Sequence, residues 1–256
     1  MPVELLVIPC LADNYAYLLH DAATDTTTVI DVPEAGSVLS ALIERGWKAT
    51  YILITHHHGD HIDGVPMLEA ATGARVIGAA ADAHRLPLLS HETHPGEILP
   101  IGMEQVEVLD ASGHTLGHVA YHFPEAGLLF SGDSLMSWGC GRLFEGSPAQ
   151  MFATLSRFAE LPDTTLVCSG HEYTEANGRF ALSLEPDNPA LLKRMDEVRA
   201  MRAAGRPTVP VALSVEKATN PFLRGADPGL RAALGLPPSA SALDTFTEAR
   251  RRKDNF

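Results

Sequence analysis

The stretch that decides the fold is Tyr51-Ile52-Leu53-Ile54-Thr55-His56-His57-His58-Gly59-Asp60-His61. Residues 51–55 predict a buried strand, because apolar and aromatic residues run together before a polar loop. The loop then carries four imidazoles and one carboxylate within six residues. In an extended chain His56 and His58 point to the same side, and a turn after them brings Asp60 and His61 back. Zinc, iron and manganese all accept imidazole and carboxylate ligands, so this loop predicts most of a two-metal site.

Three later segments offer further ligands in small-residue loops that follow predicted strands. They contain His114, Asp133 and His171. Taken alone, each would more often be a buried histidine or a turn carboxylate. We expect them to converge because strand ends along one sheet edge lie close together. The predicted set assigns one cation to His56, His58 and His114, a second to Asp60, His61 and His171, and a bridging role to Asp133.

This ligand set predicts hydrolytic chemistry. Two divalent ions and two carboxylates leave a net positive charge, which lowers the pKa of a shared water towards neutrality. The resulting hydroxide would be the nucleophile, with Asp133 bridging the ions and Asp60 helping to orient the hydroxide. Cys140 lies near these loops, and a role for it as ligand or nucleophile is the less favoured alternative. Zinc is the expected metal, with iron and manganese as alternatives.

Composition narrows the class of protein. The chain has 256 residues and a net charge of −13, which argues against a nucleic-acid partner. Its three cysteines are widely spaced, so no disulfide framework is expected and a cytoplasmic setting is favoured. No apolar run approaches the roughly 18–20 residues that span a membrane. We expect a monomer that acts on a small molecule.

The order of predicted elements indicates two domains. Short strands are predicted at 3–8, 16–20, 27–31, 51–55, 74–78, 105–109, 118–123, 127–131 and 165–169. Helices are predicted at 35–45, 64–71 and 148–160, the last with Ser147 as its N-cap. After residue 172 helical patterns dominate, including one from Asn188 to Gly205 with an apolar stripe at Leu192, Met195, Val198 and Met201. We therefore predict an α/β catalytic domain at 1–172 and a helical domain at 173–256.

The pattern HxHxDH at 56–61, followed in order by His114, Asp133 and His171, resembles the metallo-β-lactamase-fold hydrolases. The resemblance implies an αββα sandwich with a dinuclear site at one edge of its sheets. A closer likeness is to the glyoxalase II (hydroxyacylglutathione hydrolase) family. It rests on residues 11–15, 55–58, 139–146, 170–174, 219–224 and 250–254. That family implies hydrolysis of S-D-lactoylglutathione to D-lactate and glutathione, in methylglyoxal detoxification.

The same resemblance implies a glutathione-binding surface. Arg142 and Phe144 stand where the family usually has Lys and Tyr, and Tyr173 matches a further contact. Arg250 and Lys253 match a basic pair near the end of the helical domain. A terminal charge run is usually only a solvated face. Because glutathione conjugates are anionic and the chain is acidic, we expect these two residues to bind substrate.

Three other functions compete. A glutathione-persulfide dioxygenase on the same fold would use one iron at His56, His114 and Asp133. Lactonases and other hydrolases of the fold would lack the basic tail. A metal-binding or regulatory module without activity would be expected to have lost ligands, whereas all seven are present.

Overall fold

In a computed structural model that describes residues 3–256, the chain forms two compact units. The first comprises the chain up to Ala111 together with Leu116–Gly132, and the second comprises Ser112–Thr115 together with Asp133–Phe256. Each predicted ligand segment lies within one unit. The first unit holds residues 55–61, and the second holds His114, Asp133 and His171.

The first unit contains a mixed sheet in which six strands follow their chain order. They are β1 (Glu4–Cys10), β2 (Asn14–Asp21), β3 (Thr26–Ile30), β4 (Ala49–Leu53), β5 (Arg75–Ala79) and β6 (His91–Thr93). Strands β1 to β3 pair antiparallel, and β3 to β6 pair parallel. Parallel neighbours require crossover connections. The segments after β3 and β4 therefore leave the same edge of the sheet, where the Thr55 amide donates to Asp31 Oδ1 at 2.8 Å.

An antiparallel run of four strands completes the β-structure of this unit. It consists of β7 (Ile98–Ile101), β8 (Glu104–Asp110), β9 (Val119–Phe123) and β10 (Leu128–Gly132), each paired with the next. The Tyr17 ring meets the edge of Phe130 with centroids 5.3 Å apart. The buried Tyr121 hydroxyl donates to the Ile54 carbonyl at 2.9 Å. Aromatic packing and this hydrogen bond thus join the antiparallel run to the mixed sheet, next to the loop at residues 55–61.

Helices of the first unit are α1 (Ala35–Arg45), α2 (Gly59–Ile62) and α3 (Val65–Thr72). Helix α1 buries Ala35, Val38 and Leu42 in the same hydrophobic cluster as residues of β1, β2 and β4. Full burial of a Val or Leu side chain contributes roughly 1.5–3 kcal/mol, so this face fixes α1 against the sheet. The helix ends at Gly46, whose φ of 67° favours glycine.

The second unit combines two short strand pairs with six helices among the described residues. Strands β11 (Leu135–Met136) and β12 (Gly139–Cys140) form one antiparallel pair, and β13 (Leu166–Ser169) and β14 (Val211–Ala212) form the other. The helices are α4 (Pro148–Ala159), α5 (Thr174–Leu184), α6 (Pro189–Ala203), α7 (Leu213–Thr219), α8 (Pro228–Ala233) and α9 (Ala242–Asp254). Helix α4 begins with the Ser147 cap that the sequence predicts, closed by Gln150 in a capping box.

A buried polar network ties helices α6 and α7 to the β11–β12 ribbon. Arg194 of α6 pairs with Glu216 of α7, and both side chains are buried. The amide of Asn220 donates to the Met136 carbonyl at 3.1 Å and to the Gly139 carbonyl at 3.0 Å. This ribbon lies between Asp133 and the loop at 141–147 in the chain. The polar network therefore fixes the segment that links them.

The nine predicted strands are present, with ends that differ by about two residues, as is usual for boundaries. Strands β6, β7, β11, β12 and β14 were not predicted. The predicted stripe on α6 is partly wrong, because Leu192 is 46% exposed and Leu191 is buried instead. Within the described residues, every helix is too short or too polar to cross a membrane.

Candidate metal centre and substrate-binding surface

The candidate ligands of the first unit lie on the loop that follows β4 and on helix α2. His58 is extended (φ −64°, ψ 141°), and the single helical turn after it, rather than a tight turn, presents Asp60 and His61. The Nε2 atom of His56 lies 3.1 Å from the Nδ1 atom of His58. The Nε2 atom of His61 lies 3.9 Å from Asp60 Oδ2, and within this cluster His56 and His61 offer nitrogens within 4.8 Å of each other.

Hydrogen bonds to Asp31 and Thr55 set the orientation and the tautomers of two of these imidazoles. Asp31 Oδ2 accepts from His61 Nδ1 and from the Thr55 hydroxyl, both at 2.8 Å. Because the Thr55 hydrogen is used in this way, its oxygen accepts from His56 Nδ1, 3.0 Å away. His56 and His61 therefore carry their ring hydrogens on Nδ1, which leaves each Nε2 lone pair for a cation. Metal-binding histidines are typically held in this way.

Asn14 performs the same task for Asp60. Its side-chain amide donates to the Asp60 carbonyl at 2.9 Å and to Asp60 Oδ2 at 3.0 Å. His57 and His118, which the sequence analysis excludes as ligands, make other contacts. The Nδ1 atom of His57 donates to the buried Asp82 Oδ2 at 3.1 Å, and the His118 ring stacks on His56 with centroids 4.6 Å apart.

The candidate ligands of the second unit form a cluster of their own around Asp133. His114 Nε2 lies 3.5 Å from Asp133 Oδ2, and His171 Nε2 lies 3.4 Å from the same oxygen. All three side chains are buried. The Nδ1 atom of His114 donates to the Arg142 carbonyl at 2.7 Å, so its Nε2 lone pair again faces the carboxylate. The His114 lone pair facing a carboxylate fits a shared cation better than a hydrogen bond, so the residues suit a metal.

Gly141 and Cys140 lie beside this cluster. A Cβ atom on Gly141 would come within 2.1 Å of the Asp133 carbonyl and 2.8 Å of His114 Nδ1, so only glycine fits there. Burial, as the largest cause, raises the pKa of the Cys140 thiol above its ordinary value. A thiol held neutral is a poor ligand and nucleophile, and Cys140 accepts from Arg250 through its carbonyl at 2.9 Å.

Two aromatic residues flank the ligands of the second unit. The Phe144 ring meets His114 edge-on with centroids 5.2 Å apart, and 64% of Phe144 is exposed. The Tyr173 ring stacks on His171 at 4.6 Å with planes 6° apart. Both predicted substrate contacts therefore lie against metal-ligand candidates and present an apolar face to solvent.

Basic side chains gather around Lys253 on helix α9. Its Nζ lies 3.4 Å from the Ala176 carbonyl of α5 and 5.3 Å from the centroids of Phe180 and Phe256. Burial first, and then the nearby cations Arg250, Arg179 and Arg142, lower the pKa of Lys253 to about 8. A group of cations whose charges disfavour one another is a ready site for an anion.

Arg250 is buried, although its position in a run of basic residues predicts an exposed side chain. Only 4% of it is exposed, and it pairs with Asp254 at 2.6 Å as well as donating to Cys140. The adjacent Arg251 and Arg252 pair with Glu248 instead. Arg250 is therefore held within the second unit, next to the ribbon that leads to Arg142.

The sequence analysis did not assign roles to four residues that support these sites. They are Asn14, Asp31, Asp82 and Arg179. Asn14 belongs to a stretch that was already noted for its resemblance, and Asp31 ends a predicted strand. The partner of Asn14 is Asp60, 46 residues away, and the partner of Asp31 is His61, 30 residues away. Nothing local in the sequence reveals such distant contacts.

Comparison with known proteins agrees with this picture over the whole chain. The family model described as the metallo-beta-lactamase superfamily matches residues 14–171, and the model described as the hydroxyacylglutathione hydrolase C-terminus matches residues 172–256. The hydroxyacylglutathione hydrolase of Rhodobacter capsulatus is 66% identical over 256 residues, all of both chains. The chain belongs to the hydroxyacylglutathione hydrolase family. Its predicted αββα metallo-β-lactamase fold with a helical C-terminal domain is confirmed.

Two solved structures extend the comparison. ETHE1 from Myxococcus xanthus is 25% identical with a TM-score of 0.66, and the match covers 96% of this chain and 99% of that one. TTHA1623 in a di-iron-bound form is also 25% identical, with a TM-score of 0.63 and coverage of 86% and 100%. Superfamily membership and the clustered His and Asp donors together support a dinuclear metal site.

The family assignment also confirms the predicted class of enzyme. Full-length relatives and the C-terminal match support a hydrolase of glutathione thioesters over the persulfide dioxygenase. The module without activity is likewise not supported, since these relatives are named as hydrolases.

Proposed function

We propose that this enzyme hydrolyses S-D-lactoylglutathione to D-lactate and glutathione, as the second step of methylglyoxal detoxification. The observation that carries the proposal is that metal-ligand candidates and a group of neighbouring cations around Lys253 occur in one chain of this family. The first suits a thioester carbonyl, and the second suits the carboxylates of glutathione. Related hydroxyacylglutathione thioesters belong to the same substrate class.

We further propose that two divalent ions, zinc before iron or manganese, are held by the seven predicted ligands. His56, His58 and His114 would hold one ion, Asp60, His61 and His171 the other, and Asp133 both. When bound, such a pair supplies an ionised water as nucleophile and polarises the thioester carbonyl. The chemistry of the donors supports this assignment, because each histidine whose other ring nitrogen is engaged has an Nε2 lone pair available.

The chain's own residues would then orient the reacting groups. Asp31 fixes the His61 ring, and Asn14 fixes the Asp60 carboxylate. Asp60 in turn would help to orient the attacking hydroxide. Burial of His114 and His171 limits competing hydration of these ligands.

Glutathione would bind through residues of the second unit. Arg142 and Lys253 would contact its carboxylates, and Phe144 and Tyr173 would cover its apolar parts. Arg250 would act partly through Cys140, whose carbonyl it holds at 2.9 Å. A carboxylate placed beside Lys253 would raise the pKa of that amine, so substrate binding would favour the charged form, which burial and then the neighbouring cations disfavour.

The domain assignment belongs to the same proposal. We assign catalysis to residues 1–172 and glutathione binding to the helical residues 173–256, and the two family matches support this division. A monomer that works in the cytoplasm on a small molecule, without nucleic-acid or membrane partners, remains a prediction.

A comparison of two reactions on one preparation tests the function. Loss of thioester absorbance from S-D-lactoylglutathione and oxygen uptake on glutathione persulfide would be measured side by side. We expect rapid thioester loss without oxygen uptake. Oxygen uptake with no thioester loss would contradict the proposal and favour the dioxygenase.

A further inference from the structure

The turn between β1 and β2 exposes an apolar side chain on a constrained backbone. Leu11 has a φ of 50°, in the left-handed region that residues other than glycine rarely adopt. Its side chain is not buried in exchange, because 56% of Leu11 is exposed. Residues in sparsely populated backbone regions persist where surrounding contacts hold them, and they concentrate at functional sites.

Contacts at both ends of the turn connect Leu11 to the loop at residues 55–61. The turn closes where Cys10 pairs with Asn14, and Asn14 donates to the carbonyl and the carboxylate of Asp60. At its other end the Leu11 amide donates to Glu34 Oε1 at 3.3 Å. The segment that precedes Glu34 is bound to the same loop, since the Val32 amide donates to the His61 carbonyl at 2.8 Å. The position of Leu11 is therefore fixed relative to Asp60 and His61.

The Glu34 carboxylate is itself held in place. Its Oε1 also accepts from the Ser37 hydroxyl at 2.6 Å, in the first turn of α1. The acceptor of the Leu11 amide is therefore fixed in position, which restricts the backbone of this exposed leucine. The backbone of Leu11 is thus supported from α1 and from α2, while its side chain has no assigned role in the fold.

We propose that Leu11 is a specificity-determining residue that provides the apolar contact for the acyl group of the thioester. The inference rests on the proposed function and deepens it by assigning the acyl side of the substrate. The glutathione part of the substrate is assigned to the second unit. The acyl group is bonded to the thioester carbonyl, which would react at the ions that the predicted ligands Asp60 and His61 help to hold. An isobutyl group exposed on a turn that hydrogen bonds tie to these residues favours an acyl chain with methyl or methylene groups over a charged one.

Binding of thioethers that cannot be hydrolysed tests this assignment without relying on turnover. Kd values of the metal-loaded enzyme would be measured by calorimetry for S-methyl-, S-propyl- and S-hexylglutathione. A fully buried methylene tightens binding about fourfold. Because Leu11 covers one side of the chain, we expect about twofold per methylene in the wild type. Leu11→Ala should reduce this increase in affinity per methylene. Leu11→Asn should reduce it equally, and it tests the loss of the apolar side chain in a residue that tolerates the left-handed region.

Leu88→Ala is the matched control, because Leu88 is an 85% exposed leucine outside the contacts described for this turn. It should keep the wild-type rise. An equal rise in the wild type and in both Leu11 variants would overturn the proposal, even if the wild type hydrolyses S-D-lactoylglutathione. If the wild type neither hydrolysed that thioester nor bound any of the thioethers, the proposed function would fail first and this inference with it.

Discussion

Substrate affinity should depend on pH through Lys253. The pKa of its amine is about 8, lowered by burial first and then by Arg250, Arg179 and Arg142, while Asp254 acts in the opposite direction. With that pKa, roughly 90% of the free enzyme carries the Lys253 charge at pH 7 and roughly 10% at pH 9. If this charge binds a substrate carboxylate, kcat/KM for S-D-lactoylglutathione should fall several-fold, up to about tenfold, over this range.

The fall should appear in KM and not in kcat. Once substrate is bound, its carboxylate raises the pKa of Lys253, so the enzyme–substrate complex stays charged at both pH values. Steady-state rates at half-unit steps from pH 6.5 to 9.5, at constant ionic strength, measure both parameters. Ionic strength must be fixed because screening alone weakens attraction between exposed charges.

Two variants separate Lys253 from other groups that titrate in the same range, including the amine of the substrate. Arginine keeps its charge throughout, so Lys253→Arg should flatten the KM profile. Lys253→Met should raise KM at pH 7 and also remove most of the pH dependence. The reasoning would be refuted if Lys253→Arg showed the same rise in KM with pH as the wild type, or if Lys253→Met left KM unchanged at pH 7.

The remaining predictions concern the metal centre. His58→Ala and Asp133→Ala should each lower kcat by orders of magnitude with little change in the circular dichroism spectrum, and near wild-type turnover in either would argue against the ligand assignment. Asp31→Asn weakens the acceptor for His61 Nδ1 and Thr55, so metal affinity should fall by roughly 10–100-fold. Less metal should then be retained during dialysis against a chelator, and unchanged retention would show that Asp31 does not orient a ligand. Cys140→Ser should keep most of its activity, because burial keeps the Cys140 thiol protonated, and loss of activity with metal content intact would reopen a catalytic role for it.

The sequence singles out candidate ligands because most of them follow an apolar strand within a few residues. His56, Asp133 and His171 illustrate the pattern, and both the strand and the loop are local properties. The orienting hydrogen bonds were not predictable in this way. Asp31 reaches Thr55 and His61 only because β3 and β4 are parallel neighbours, and a pairing across a helical crossover leaves no local pattern.

Helical faces show the same limit. Periodicity predicted an α6 stripe beginning at Leu192. Met195 and Val198 of that stripe are buried, but Leu191 and Arg194 are buried in place of Leu192. A charged residue would ordinarily face solvent. Arg194 is buried because Glu216 pairs with it from α7, and that partner is 22 residues away in the chain.

Measuring metal content and thioester hydrolysis on one sample tests the central claim most directly. Zinc, iron and manganese per chain would be quantified for the wild type and for Asp133→Ala, with S-D-lactoylglutathione cleavage followed in parallel. The account predicts about two ions per wild-type chain together with rapid thioester loss, and loss of both metal and activity in the variant. A single iron per chain, with no thioester cleavage, would contradict it.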